Sequence, residues 1–196
     1  MTMIEFEEYL YNRVTPILAR WDDTGIYAVS FFVYSNESFA YRGCENVSCF
    51  EISYNTEENC GAAPAISEER WNYAYWPQDV EGIISPDVKD DEGTKMLFEW
   101  YARQGLERIG FEDEEGMYDG NMNYIGKGPV GYYALLMAVS NVARRIQQEG
   151  LLAKKFGRSM PILVHDLEYP WYVREATLNA NPGGEAADFL AWMESL

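Results

Sequence analysis

The sequence predicts an α+β fold: an antiparallel sheet built mainly from the N-terminal half, packed by helices mostly from the C-terminal half. Three observations carry this. Residues 26–34 (IYAVSFFVY) are β-branched and aromatic throughout, as expected of a strand covered on both faces. Residues 129–149 hold apolar side chains at three-to-four spacing, as expected of a long amphipathic helix. Strand-like segments cluster early and helical ones late, rather than alternating, which separates α+β from α/β.

In chain order, Phe6, Leu10, Val14, Ile17, Leu18 and Trp21 form a helical stripe over residues 3–21, and Pro16 is expected to kink or split that helix. Asp22 to Gly25 is a turn signal before the 26–34 strand. A hairpin turn over 35–38, a return strand from 39–42 and a strand over 47–54 complete a meander. In the last of these Ser48, Phe50, Ile52 and Tyr54 are expected inside. Residues 70–76 (RWNYAYW) alternate like a strand, which Pro77 stops. A helix is expected over 91–109 on Met96, Leu97, Trp100 and Tyr101, and a solvated loop over 112–118. The 129–149 helix has Pro129 suited to its first position and Gly150 to its stop. Residues 160–165 (MPILVH) read as a short buried strand and 167–179 as mixed, with a helix as one option. A last helix opens at Asn181-Pro182, with Ala186, Phe189, Leu190, Met193 and Leu196 inside.

Length and charge bound the function. The 196 residues fit one domain, and 47% apolar residues with 15 Tyr and 6 Trp supply a core. The formal net charge is −17, and residues 79–119 hold 13 acids against 4 bases. Nucleic acid and anionic membrane surfaces are excluded as partners, because both are bound through Lys and Arg. A basic protein, a cationic small molecule or a divalent metal is compatible. The acidic N-terminal residues lack the features of a signal peptide, and no run approaches a membrane span. Three cysteines, Cys44, Cys49 and Cys60, are an odd number without CxxC spacing. They point to reduced thiols, and hence to a cytoplasmic protein.

Few constellations suggest chemistry. Gly126 to Gly131 fits GxGxxG, but the preceding residues are polar and turn-like, so a helix entry is the plainer reading. His165-Asp166 places the only histidine beside a carboxylate, with no GxSxG elbow to complete a hydrolytic set. Glu57 and Glu58, with Asp113, Glu114 and Glu115, are candidates for a carboxylate dyad or a hard-metal site, though no calcium-loop pattern exists. No cofactor and no metal is expected. Trp71, Tyr73, Tyr75 and Trp76 are either core or a recognition surface.

The segments Tyr27-Ala28-Val29-Ser30, Ser53 to Glu58, Arg70 to Trp76 and Val164 to Glu168 resemble a bacterial domain-of-unknown-function family, numbered 4303. The resemblance spans residues 5–195 and implies no particular activity. Small acidic α+β bacterial proteins of this kind resemble immunity proteins, which neutralise toxins.

The leading expectation is therefore a protein-binding module, such as an immunity-type inhibitor of a basic toxin. Trp76, Asp79, Glu81, Glu112, Asp113, Glu114 and Glu115 are its candidate binding residues. The alternative is a small enzyme using carboxylates or a metal around Glu57, Glu58, His165 and Asp166.

Overall fold

A computed structural model describes residues 1–36, 41, 43–44, 46–112 and 116–196. Four strands, β1 (Ile26–Asn36), β2 (Val47–Thr56), β3 (Glu81–Ile84) and β4 (Ile162–His165), form one sheet in the order β3-β2-β1-β4. The pairs β1·β2 and β2·β3 are antiparallel, but β4 runs parallel to β1, with Phe32 opposite His165. The sheet is thus mixed rather than antiparallel throughout, and one strand comes from the C-terminal part of the chain. The α+β class stands.

The helices are α1 (Met3–Arg20), α2 (Glu68–Trp71), α3 (Glu92–Arg103), α4 (Tyr132–Gln148), α5 (Leu151–Phe156), α6 (Trp171–Ala180) and α7 (Ala187–Met193). A capping box opens α1: Thr2 Oγ1 accepts from the Glu5 amide at 3.2 Å, and Glu5 Oε2 accepts from the Thr2 amide at 2.6 Å. The helix runs through Pro16 as one element, so the expected split does not occur. One sheet face is covered by α1, α3 and α4, and Phe6 of α1 stacks on Trp100 of α3 at 4.5 Å. The predicted stripe of α4 from Tyr132 to Ile146 is buried throughout, in keeping with its place against β1, β4, α1 and α6.

The segment 70–76 is not a strand. It forms the end of α2 and a 3₁₀ turn over Tyr73–Tyr75, with Asn72 Oδ1 accepting from the Ala74 amide at 3.0 Å. Alternating aromatics mimic a strand here, yet Trp71, Tyr73 and Trp76 all turn inward onto the second sheet face, and only Tyr75 is exposed. Trp71 meets Tyr27 of β1 and Phe189 of α7 edge-on.

The free edge of β4 is closed by side chains from the end of α6 and the residue that follows it. Asn181, the residue after that helix, accepts from the Ile162 amide at 2.9 Å and donates to its carbonyl at 2.8 Å. Thr177 Oγ1 accepts from the Val164 amide at 3.1 Å and donates to its carbonyl at 3.0 Å. Four edge groups that would otherwise face water are satisfied this way.

Candidate functional site

The parallel strands β1 and β4 deliver their carboxyl ends to one place, the position where open sheets with parallel pairs form a crevice. The start of α4 arrives at the same end. Its N-cap, Gly131, has φ +99°, and a Cβ there would lie 2.8 Å from the Tyr101 ring, so glycine alone fits. The Tyr101 hydroxyl donates to the Gly131 carbonyl at 2.8 Å and fixes the turn. Between these elements lies a cleft of about 410 Å³.

Three carboxylates line it: Glu112, Asp166 and Glu168. So do the rings of Tyr34, Tyr124, Tyr132 and Tyr172, and among the described residues no Lys or Arg does. Asp166 is 9% exposed. Its Oδ2 accepts from the Tyr132 hydroxyl at 2.8 Å and the Tyr172 hydroxyl at 3.1 Å, and its Oδ1 from the Glu168 amide at 2.8 Å. Burial raises the Asp166 pKa above the ordinary carboxylate value, and these hydrogen bonds oppose the rise. Burial and the adjacent Asp166 charge hold the Tyr132 and Tyr172 phenols protonated. The Tyr124 hydroxyl donates to Glu112 Oε1 at 3.4 Å, and the Tyr34 hydroxyl to Glu51 Oε1 at 3.1 Å. Leu167 at the mouth is 58% exposed, and the neighbouring Ile125 and Trp171 are 51% and 39% exposed. Trp171 Nε1 donates to the Gly126 carbonyl at 3.0 Å, which ties the start of α6 to the entry of α4.

His165 points away from the cleft, into the second face, as alternation along a strand requires. Its Nδ1–H donates to the Asp166 carbonyl at 3.1 Å, which leaves Nε2 to accept from the Ser30 hydroxyl at 2.7 Å. His165 and Ser30 are 1% and 0% exposed, so this Ser–His pair meets no substrate. Burial pushes the His165 pKa down to about 4, and the ring is neutral among Phe32, Tyr73 and Tyr169.

The remaining expected residues do not gather here. Glu57 and Glu58 follow β2 at the opposite end of the sheet, where the Glu57 amide donates to the Gly25 carbonyl at 3.0 Å. The six residue steps along β1 from Ile26 to Phe32 put about 20 Å between that end and His165. The four residues of the enzyme alternative are therefore not brought into one pocket. Trp76 is 3% exposed and packs on Tyr27 and Tyr73, so it is a core residue and not a surface anchor. Asp79 is exposed, and Glu81 is ion-paired to Arg20 at 2.9 Å. Of the candidate binding residues only Glu112 lines the cleft; Asp113, Glu114 and Glu115 lie outside the described residues. Among the described residues no group of three His, Cys, Asp or Glu is arranged to hold a metal, and no helix is long and apolar enough to cross a membrane.

The GxGxxG segment is the entry to α4, with its Gly128 amide already donating to the Tyr124 hydroxyl at 3.1 Å. The four cleft tyrosines escaped the sequence reading because Tyr34 ends a buried strand, Tyr132 lies on a core stripe and Tyr124 and Tyr172 lie in segments without a motif. The one available signal was the abundance of tyrosine.

In comparisons with known proteins, the chain matches no family model, no curated protein and no solved structure.

Proposed function

We propose that this chain is a protein-binding module for a basic partner, of the kind an immunity-type inhibitor of a basic toxin represents. One observation carries the reading: the cleft at the carboxyl ends of β1 and β4 gathers three carboxylates with no Lys or Arg among the described lining residues, and its wall includes exposed Leu167, with exposed Ile125 and Trp171 next in sequence to the lining residues Tyr124 and Tyr172. Apolar anchors around a charged centre are what a docking surface requires, whereas a solvated acidic face needs no such rim. The net charge of −17 would steer a cationic partner and accelerate its encounter. The rim would then exclude water and hold it.

The test uses the wild-type chain and a Glu112→Lys/Glu168→Lys variant as bait in lysate of the source cells, at low and high salt. A basic protein held by the wild type, weakened by salt and lost at least tenfold by the variant is expected. Equal retention by both baits, or none by the wild type, rejects the reading.

A further inference from the structure

We infer that the cleft is built to receive one guanidinium group, the side chain of an arginine supplied by the protein partner. This deepens the protein-binding reading and rests on it.

The inference comes from hydrogen-bond polarity rather than from charge alone. Around the cleft the tyrosine hydroxyl hydrogens are already spent. The hydroxyl hydrogens of Tyr34, Tyr124 and Tyr172 go to Glu51, Glu112 and Asp166. The single Tyr132 hydrogen lies between two acceptors, Asp166 Oδ2 at 2.8 Å and the Val33 carbonyl at 3.0 Å, and can serve only one fully. The Gly128 and Glu168 amides donate to Tyr124 and Asp166, and Asn46 Nδ2 donates to the Gly110 carbonyl at 2.9 Å. Against the Ser35 hydroxyl and one Asn46 N–H that remain, the three carboxylates give the lining a surplus of lone pairs. Ser35, also in the cleft wall, has a hydroxyl oxygen with no hydrogen-bond partner among the described residues, and that hydroxyl can accept as well as donate.

A ligand that completes such a site brings donors and no acceptors, and carries positive charge. Arginine presents five N–H donors in a plane and accepts nothing. Its weakly hydrated, flat head suits walls made of tyrosine rings better than a compact ammonium does. The volume of about 410 Å³ lies within the range of roughly 300–1,000 Å³ usual for small-molecule sites, room for an arginine side chain with its stem. Leu167, at the mouth, is placed to cover the aliphatic stem.

The experiment titrates the full chain with N-acetyl-arginine amide, N-acetyl-lysine amide and N-acetyl-citrulline amide, followed by amide chemical shifts. The arginine compound is expected to saturate with a Kd of about 1 mM, as a ligand of this size allows. The lysine compound should bind at least several-fold more weakly, and neutral citrulline not measurably. A Glu112→Gln/Glu168→Gln variant, whose fold is checked by its unchanged spectrum, should lose arginine binding at least tenfold. Shifts that map away from Tyr34, Ser35 and Tyr132, equal binding of lysine or citrulline, or no saturation with arginine each overturn the inference. The two readings fail separately. A basic protein captured by the bait but not displaced by the arginine compound removes the guanidinium and keeps the module. Arginine binding with an empty bait does the reverse.

Discussion

The two ends of β1 treat negative charge in opposite ways. At the amino end, a groove of about 400 Å³ is lined by Asp23, Tyr27 and Glu57, and each carboxylate is held by an arginine. Arg158 grips Asp23 through two hydrogen bonds at 2.7 and 2.8 Å, and pulls its pKa down to about 2. Arg70 grips Glu57 with both terminal nitrogens and lies 4.0 Å over the Tyr27 ring. At the carboxyl end the same ingredients recur, carboxylate and tyrosine, with no arginine among the described lining residues. The amino end is finished within the chain. On the proposal above, the carboxyl end is completed by a partner's arginine, in the way that Arg70 completes the amino end.

The sharpest contrast is in acid. His165 sits just behind the cleft, and its folded pKa of about 4 is below the ordinary 6.5. An unfolded chain therefore takes up this proton first, and stability is expected to fall as pH drops from 6.5 toward 4, by up to about 3 kcal/mol. Asp166 works the other way: its raised pKa favours the folded state as it protonates, and offsets part of the loss. Urea titrations across this window should show the decline, and His165→Gln should flatten it. An unchanged slope in that variant would assign the acid sensitivity elsewhere.

Next in size is the amino end itself. Arg70→Ala strands a carboxylate and a tyrosine ring and gives up a bond to the Ala63 carbonyl, at a cost of about 2 kcal/mol by chemical denaturation. A cost under 0.5 kcal/mol would mean that the pair is as dispensable as an ordinary surface bridge. The smallest effect is expected at the carboxyl end, where Glu112→Gln/Glu168→Gln should shift stability by no more than about 0.5 kcal/mol. Those two residues would then be spent on binding and not on folding. A large loss would make the cleft structural and undo the contrast.

What could be read from sequence followed periodicity. The α1 stripe, β1 and α4 each repeat one pattern over enough residues to declare a face, and each lies where its pattern places it. The 70–76 segment misled because Trp71, Tyr73 and Tyr75 alternate by accident; a cap at Asn72 and burial of Trp76 decide its shape instead. The parallel pairing of β4 has no local signature, since it depends on which strand lies beside it. The cleft was hidden for the same reason. Tyr34, Glu112, Tyr132 and Asp166 come from separate segments, and nothing in any one of them announces the others.

The clamp of Thr177 and Asn181 on β4 has a further consequence. Two side chains stand where the backbone of an added strand would otherwise lie, so on this side of the sheet a visiting segment finds no ladder to join. Recognition at that flank has to read what a visitor's side chains carry, while the visitor's main chain goes unread. If the chain binds a partner as proposed, that binding would be insensitive to the secondary structure the target adopts and sensitive to a single substituted residue.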